Sequence, residues 1–405
     1  MMSDAGWRRR ASAHRVELGL FALTWIAYAV SSARMFWRQS PAPHFVYQAH
    51  AFLHGQLHLT APPPNLNDWV LFGDRWYVSF PPFPAILMVP FVALRGIAFD
   101  DVAFTVFFGA LNVPLLYSVL RRIAAAGDEG ADGGRPAREH AALALVYGFG
   151  TVAWYCAIRG EVWFTAHTVG VTLTLLYLHA AHHARHPLLA GAALGCATIT
   201  RPPLVFAAIF FVLEARRGHA RGDAARRVLL FAAPIAVVGA AMAWMNWARF
   251  GDAGEFGHRL LYDNLAMPEV RQYGLFHAHF LARNLHAAFT RLPELDLHPL
   301  RIGFNGEGMS LFVTTPLFAL LLWPRGGARL HGSLWLASAL VAVPGFFYHS
   351  TGWYQFGFRF ALDYTPYLIL LLSQGRRPLT PLWWVLAAAG VVVNAWGAAV
   401  FNRFA

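Results

Sequence analysis

The chain has 405 residues, of which 57% are hydrophobic and 13% charged, and its mean hydropathy is +0.43. Soluble domains carry about 25% charged residues, so this composition excludes a soluble globular protein and indicates a polytopic membrane protein. All 32 basic residues are arginines and the net charge is +11. Since arginine-rich cytoplasmic loops give membrane proteins such a charge, and no nucleic-acid-binding pattern is present, we expect no nucleic-acid partner. The arginine-only usage is typical of a GC-rich bacterial gene, which favours the bacterial inner membrane.

The apolar segments predict an all-α polytopic membrane protein of about 11 transmembrane helices, in a single transmembrane domain over residues 1–405. A spanning helix needs about 20 apolar residues, and the two segments that flank Arg201 are shorter than this. The candidate spans are 17–36, 101–123, 141–158, 162–182, 188–200, 203–213, 228–248, 309–323, 334–348, 362–373 and 382–401.

A twelfth apolar run, residues 81–97, decides the predicted topology. If it lies at the membrane interface without crossing, the N-terminus is cytoplasmic and the cytoplasmic segments hold 18 of the 32 arginines. A crossing would invert every later loop and place these arginines outside, against the positive-inside rule. We therefore expect two long extracytoplasmic segments, 37–100 with juxtamembrane helices and 250–308. Connections of this length are usually functional.

Segment 37–100 contains histidines at helical spacing. His50, His54 and His58 would share one face of a helix. This pattern fits either a divalent-metal site or the wet side of an amphipathic helix. Whether a divalent metal binds stays open, and no other cofactor is expected.

The same segment also holds two aspartates and two proline clusters. Asp68 lies among aromatic residues and is a candidate general base, whereas Asp74 follows Gly73 and is expected to form a turn. Arg75 is a candidate phosphate ligand. The run Phe80-Pro81-Pro82-Phe83-Pro84 fixes the backbone because proline restricts φ and interrupts helices.

Charged residues beside or inside the later apolar segments are further candidates. Arg201, before Pro202-Pro203, lies between two short apolar runs. An arginine inside the membrane is taken as functional by default, and its guanidinium group is suited to bind a phosphate. A snorkelling arginine at a helix end is the alternative. Glu161 and His167 share the predicted outer layer of one span, and Arg359 is either a second phosphate ligand or the ion-pair partner of Asp363.

These residues, in this order, resemble the GT-C superfamily of polytopic glycosyltransferases. The similarity is to the branch of dolichyl-phosphate-mannose protein mannosyltransferases and lipid A aminoarabinose transferases. Phe80-Pro81-Pro82-Phe83-Pro84 corresponds to the motif that ends the long first outer loop, and Thr200-Arg201-Pro202-Pro203 to a later break that supplies a cation. Arg359 precedes the late helix that contains Pro366. His50 stands where the family usually has an acid, and Phe80 where it has a lysine.

The resemblance implies inverting sugar transfer from a polyprenyl-phosphate-linked donor to a glycan, lipid or protein acceptor at the extracytoplasmic face. It implies a catalytic site among Asp68, Glu161, His50 and His167, and donor-phosphate binding by Arg201, Arg359 and Arg75. Membrane lipids are the remaining expected partner. A lipid or glycolipid transporter is the rival function. Many transporters have repeated halves with matching broken helices, whereas this sequence shows one broken helix and no repeated half, which favours the enzyme. A catalytically inactive binding homologue is a third possibility.

Overall fold

The computed structural model describes residues 14–130, 135–261, 265–297, 300–323 and 327–401. Most of these residues are helical, as expected from the apolar composition. The helices are α1 Arg15–Ser32, α2 His44–Leu53, α3 Phe83–Arg95, α4 Asp101–Ala125, α5 Ala137–Phe149, α6 Ala153–Ala157, α7 Val162–Ala181, α8 Pro187–Thr198, α9 Ala208–Gly218, α10 Arg221–Phe250, α11 Pro268–Tyr273, α12 Leu281–Phe289, α13 Leu311–Thr314, α14 His331–Phe347, α15 Thr365–Ser373 and α16 Pro381–Phe401.

The strands are short and lie in the loops. They are β1 Trp69–Phe72, β2 Arg75–Val78, β3 Glu294–Leu297, β4 Leu300–Gly303, β5 Glu307–Met309 and β6 Gln355–Gly357. β1 and β2 form an antiparallel hairpin, as do β3 and β4, whereas β5 and β6 pair in parallel. Gly73 and Asp74 both have left-handed φ values, which is the geometry of a two-residue type I′ hairpin turn.

Four described helical segments are long and apolar enough to cross a membrane: Arg15–Trp37, Asp101–Ala125, Arg221–Phe250 and Pro381–Phe401. Each of the other predicted spans also contains helix, but several are interrupted, so the number of about eleven crossings stays a prediction. The run 81–97 forms α3, whose 13 residues extend about 20 Å at 1.5 Å per residue. This length is too short to span the roughly 30 Å hydrocarbon core.

α7 is the central helix and is buried along most of its length. It runs parallel to α4, as three hydrogen bonds between the two helices show: the residue numbers of the partners rise together along both helices. Thr105 bonds Thr165 (2.6 Å), Asn112 bonds the Thr168 carbonyl (3.0 Å) and Arg122 bonds His179 (3.1 Å). We call the end with the segments 37–100 and 250–308 the loop end; α4 and α7 both begin there.

A buried carboxylate joins segment 37–100 to the bundle at the loop end. Asp101, the first residue of α4, accepts hydrogen bonds from the backbone N–H and the hydroxyl of Ser40, both at 2.7 Å. Gly160 lies against it, and a Cβ there would be 2.6 Å from a carboxylate oxygen of Asp101. Ser40 and the turn before α7 are therefore held on the same helix end.

The crossing of α8 and α10 depends on a glycine. A Cβ on Gly191 would overlap the carbonyl oxygen of Phe231, whereas one on Gly239 of α10 would meet nothing within 4 Å. We expect Gly191→Ala to destabilise the fold by about 1–3 kcal/mol, the usual cost of overpacking. Its midpoint of thermal unfolding in detergent should fall, while that of Gly239→Ala should be unchanged or higher, since alanine favours helix. Equal midpoints for the two variants would show that the helices do not approach at Gly191.

Candidate functional site

A cavity of about 1350 Å³ opens at the loop end of the bundle. Ligand pockets typically occupy about 300–1000 Å³, so this cavity can hold a large ligand or two smaller ones. Five of the seven candidate catalytic and phosphate-binding residues line it: Asp68, Glu161, His167, Arg201 and Arg359. The fold thus brings together side chains that are up to 291 positions apart in the sequence.

The β1–β2 hairpin holds Asp68 at the cavity. Asp68 directly precedes β1 with a left-handed φ of 58°. Its carboxylate accepts a 2.8 Å hydrogen bond from the indole N–H of Trp163, in the first turn of α7. His44 stacks on Trp69 with ring centroids 3.8 Å apart and hydrogen-bonds the Asn67 carbonyl at 3.1 Å. The backbone on both sides of Asp68 is therefore fixed.

The proline motif and the helix break meet each other directly. The N–H of Phe83, after Pro81-Pro82, donates a 3.1 Å hydrogen bond to the carbonyl of Ile199. Two residues later Arg201 has extended backbone (φ −142°), because Pro202 and Pro203 prevent α8 from continuing. Gly170 of α7 makes room for Arg201, since a Cβ there would lie 3.2 Å from the Arg201 Cγ.

Arg201 is paired with Asp363, which also holds His167. The Arg201 guanidinium reaches Asp363 at 2.7 Å through Nη2 and at 3.2 Å through Nε. His167 Nδ1 lies 2.9 Å from the same carboxylate. The sequence analysis considered Asp363 only as a partner of Arg359. The separation of 162 positions between Arg201 and Asp363 left no local signal for their pairing.

Glu161 is also ion-paired. Its carboxylate accepts a 3.0 Å hydrogen bond from Nε of Arg159 and a second bond from Nη2 of the same guanidinium. Arg159 additionally donates to the backbone carbonyl of Phe401 at 3.3 Å. Arg159 received no role in the sequence analysis, although its spacing of two residues from Glu161 was a usable signal.

Arg359 differs from the other two arginines of the cavity. It is 4% exposed, and within the described ranges no carboxylate lies within ion-pair distance of its guanidinium. The group lies near the rings of Phe164 (5.2 Å), Phe360 (5.7 Å) and Trp163 (5.9 Å). Its Nη1 donates to the Tyr354 carbonyl at 3.4 Å, and its Nε has no hydrogen-bond acceptor. A buried cation with an unsatisfied N–H at a cavity wall is suited to bind an anion.

Three polar side chains that the sequence did not single out complete the wall. His258, from segment 250–308, lies 2.6 Å from the Tyr348 hydroxyl and 3.3 Å from the Ser79 hydroxyl. Burial lowers the pKa of His258 to about 3, so its imidazole is neutral at physiological pH. His258 thereby connects segments 37–100 and 250–308 with the end of α14. No local sequence pattern indicates this contact between loops.

One arm of the cavity is apolar and lies between helices. α10 contributes Ile235, Val238 and Met242 to it, and α14 contributes Val341 and Ala342. Because α10 is exposed along most of its length, it lies on the outside of the bundle, and this arm of the cavity lies next to the outer surface of the bundle. An apolar chain can thus lie next to the charged part of the cavity.

His50 and Arg75 lie away from this cavity. His50 bonds the Thr60 hydroxyl at 2.8 Å and its ring is 4.4 Å from that of His54, whereas His58 packs near Tyr77. Arg75 is exposed at the start of β2. Neither residue is among those that line the cavity, so their predicted roles have no support from its geometry.

Metal-ligating side chains come together elsewhere in the described part of the chain. Asp128, His182 and His183 place their ligand atoms within 4.8 Å of one another, at the end of α4 and α7 opposite the cavity. Arg329 already bonds both oxygens of Asp128, at 2.6 and 3.1 Å. A cation there would have to displace this guanidinium.

Comparison with solved structures finds two archaeal structures. The Archaeoglobus fulgidus oligosaccharyltransferase in the apo form is 13% identical with a TM-score of 0.44, over 96% of this chain and 55% of that chain. The oligosaccharyltransferase AglB from A. fulgidus, in complex with an inhibitory peptide and a dolichol-phosphate, is 12% identical with a TM-score of 0.41, over 95% and 55%. The chain thus spans about half the length of these structures.

No curated protein is significantly similar to the chain. A family match, in contrast, covers residues 77–295, which include the proline motif, Glu161, His167, Arg201 and His258. This region is more than half of the sequence. The chain therefore belongs to glycosyltransferase family 87, a GT-C-type family of membrane glycosyltransferases.

Proposed function

We propose that the protein transfers a sugar from a polyprenyl-phosphate-linked donor to an acceptor hydroxyl at the extracytoplasmic face of the bacterial inner membrane. The observation that carries this proposal is the position of Arg359. Its guanidinium lacks a carboxylate partner among the described residues, and it lines the same cavity as Asp68 and the apolar arm. A ligand with a phosphate and a long apolar chain matches these two features.

The proposed reaction is a single displacement at the anomeric carbon. Asp68 accepts the proton of the acceptor hydroxyl as its oxygen forms the new bond to the sugar. The bond between the anomeric carbon and the donor phosphate oxygen breaks, and the phosphate leaves with the electron pair. Attack from the face opposite the leaving group inverts the configuration. Arg359 is placed to stabilise the charge that develops on the phosphate.

The remaining ionised side chains have supporting roles in this scheme. Asp363 offsets the charge of Arg201 and orients its guanidinium, so Arg201 offers the phosphate those N–H groups that Asp363 does not use. Glu161 is bound by Arg159 and His167 by Asp363, so in this scheme both position other groups and Asp68 takes the proton. The proposal does not use His50 or Arg75.

The proposed orientation places the loop end outside and the N-terminus in the cytoplasm, within a single transmembrane domain. The arginine distribution supports it. A cysteine at exposed Asp74 should react with a membrane-impermeant maleimide on intact cells, in a Cys156→Ser/Cys196→Ser background. A cysteine at exposed Arg226 should react only after permeabilisation. The reverse pattern would place the cavity in the cytoplasm and overturn the proposal.

Removal of the proposed base should stop the chemical step. We expect Asp68→Asn to lower kcat by about 10²–10⁴-fold, the usual contribution of a general base, with little change in donor affinity. The assay is transfer of labelled sugar from a panel of polyprenyl-phosphate donors by the purified protein. Asp74→Asn in the same hairpin is the matched control and should retain near wild-type kcat. Wild-type turnover by Asp68→Asn would assign the base to another group.

Removal of the proposed phosphate ligand should weaken both donor binding and turnover. We expect Arg359→Gln to lower kcat/KM by about 10²-fold or more, as the loss of an oxyanion-stabilising donor does, and Arg359→Lys to recover part of it. Arg75→Gln, at an exposed arginine of the same end, is the control and should be unaffected. Arg201→Gln is a less selective test, because it leaves Asp363 buried without its guanidinium. Undiminished transfer by Arg359→Gln would exclude this phosphate site.

Donor-independent lipid movement across liposomes, without sugar transfer, would instead indicate a transporter.

A further inference from the structure

A second, smaller cavity lies at the opposite end of α4 and α7. Its volume is about 380 Å³ and it is lined by Arg122, Ala125, Ala126, His182, His183 and Arg185. α4 has 25 residues and thus extends about 37 Å, so this cavity is roughly one membrane thickness from the loop end. The arginine distribution assigns this end to the cytoplasm, where the bundle meets the lipid headgroups.

The positive charge of this cavity is not compensated by acids. In the ranges that the structure describes, neither Arg122 nor Arg185 has an ion-pair partner, and the hydrogen bond of Arg122 goes to the imidazole of His179. Asp128 contacts two histidines that line the cavity, His182 at 2.6 Å and His183 at 3.0 Å, and is bound by Arg329 at 2.6 Å. Two guanidinium groups that face one cavity without a carboxylate attract an anion.

The surroundings of the cavity indicate what carries that anion. α8 begins two residues after Arg185. Leu188 and Leu189, in its first turn, are 53% and 64% exposed. A ligand bound by Arg185 therefore has exposed apolar side chains beside it, on the surface that the membrane covers. Basic pockets between transmembrane helices on the cytoplasmic side bind the headgroups of anionic lipids.

We propose that this cavity binds the phosphate of an anionic phospholipid headgroup, with its acyl chains against the start of α8. The site is separate from the sugar-transfer cavity and does not depend on the proposed reaction. It does rest on the proposed orientation. Bound lipid would hold the ends of α4 and α7 against the connection to α8 through charge pairs that the protein alone does not supply.

Native mass spectrometry of the full-length protein in neutral detergent tests the site. The probes are dioleoyl phosphatidylglycerol and dioleoyl phosphatidylcholine, which share acyl chains and differ in net charge. We expect the wild type to retain phosphatidylglycerol in preference to phosphatidylcholine. Arg122→Gln/Arg185→Gln should weaken phosphatidylglycerol binding about 25-fold, since each arginine near a headgroup contributes about fivefold in affinity.

Two controls keep the result interpretable. Arg216→Gln/Arg226→Gln removes the same charge from exposed arginines of the same end that do not line the cavity, and should bind phosphatidylglycerol as the wild type does. Arg185→Gln alone, at an exposed residue, should fold normally and lose about fivefold. Equal losses in both double variants, or none in the Arg122→Gln/Arg185→Gln protein, would refute a specific site. Complete displacement of the lipid by millimolar inorganic phosphate would show a free-phosphate site and refute the lipid assignment.

Discussion

A charge buried among apolar helices needs an opposite charge or a hydrogen-bonding partner, and this constraint organises both ends of the bundle. At the loop end Asp363 offsets Arg201, and Glu161 offsets Arg159. At the other end Asp128 and Glu214 both bind Arg329. Each cavity is also lined by arginines that have no carboxylate partner among the described residues: Arg359 in the large cavity, and Arg122 and Arg185 in the small one.

Sequence reasoning succeeded where a pattern is local. The two prolines after Arg201 predict a broken helix, and the structure has extended backbone at that position. The composition of segment 37–100 predicts a functional loop with a backbone fixed by prolines, and Asp68 of this segment lines the cavity. The proline boundaries of residues 81–97 predict a short helix, and α3 has 13 residues; that this run does not cross the membrane stays a prediction. Each of these features is determined by neighbours within a few positions.

The rest could not be predicted, because it depends on contacts between distant segments. Asp363 pairs with Arg201 since α7, the break after α8 and the segment before α15 converge, and no spacing rule relates them. The link from Ser79 through His258 to Tyr348 joins three loops in the same way. His50 shows how far a local spacing rule reaches. Helical spacing grouped it with His54 and His58; the rings of His50 and His54 are neighbours, but α2 ends at Leu53 and leaves His58 outside the helix.

The hydrogen bond between Phe83 and Ile199 limits how the large cavity can exchange its contents. The peptide after the proline pair is bonded to the end of α8, so a swing of the hairpin segment away from the bundle at that point would break this bond. Such a movement would leave a carbonyl group without a donor in an apolar layer, at a cost of about 1–3 kcal/mol. The apolar arm between α10 and α14 opens to the cavity at another side, so an apolar chain that lies in this arm leaves the bond intact.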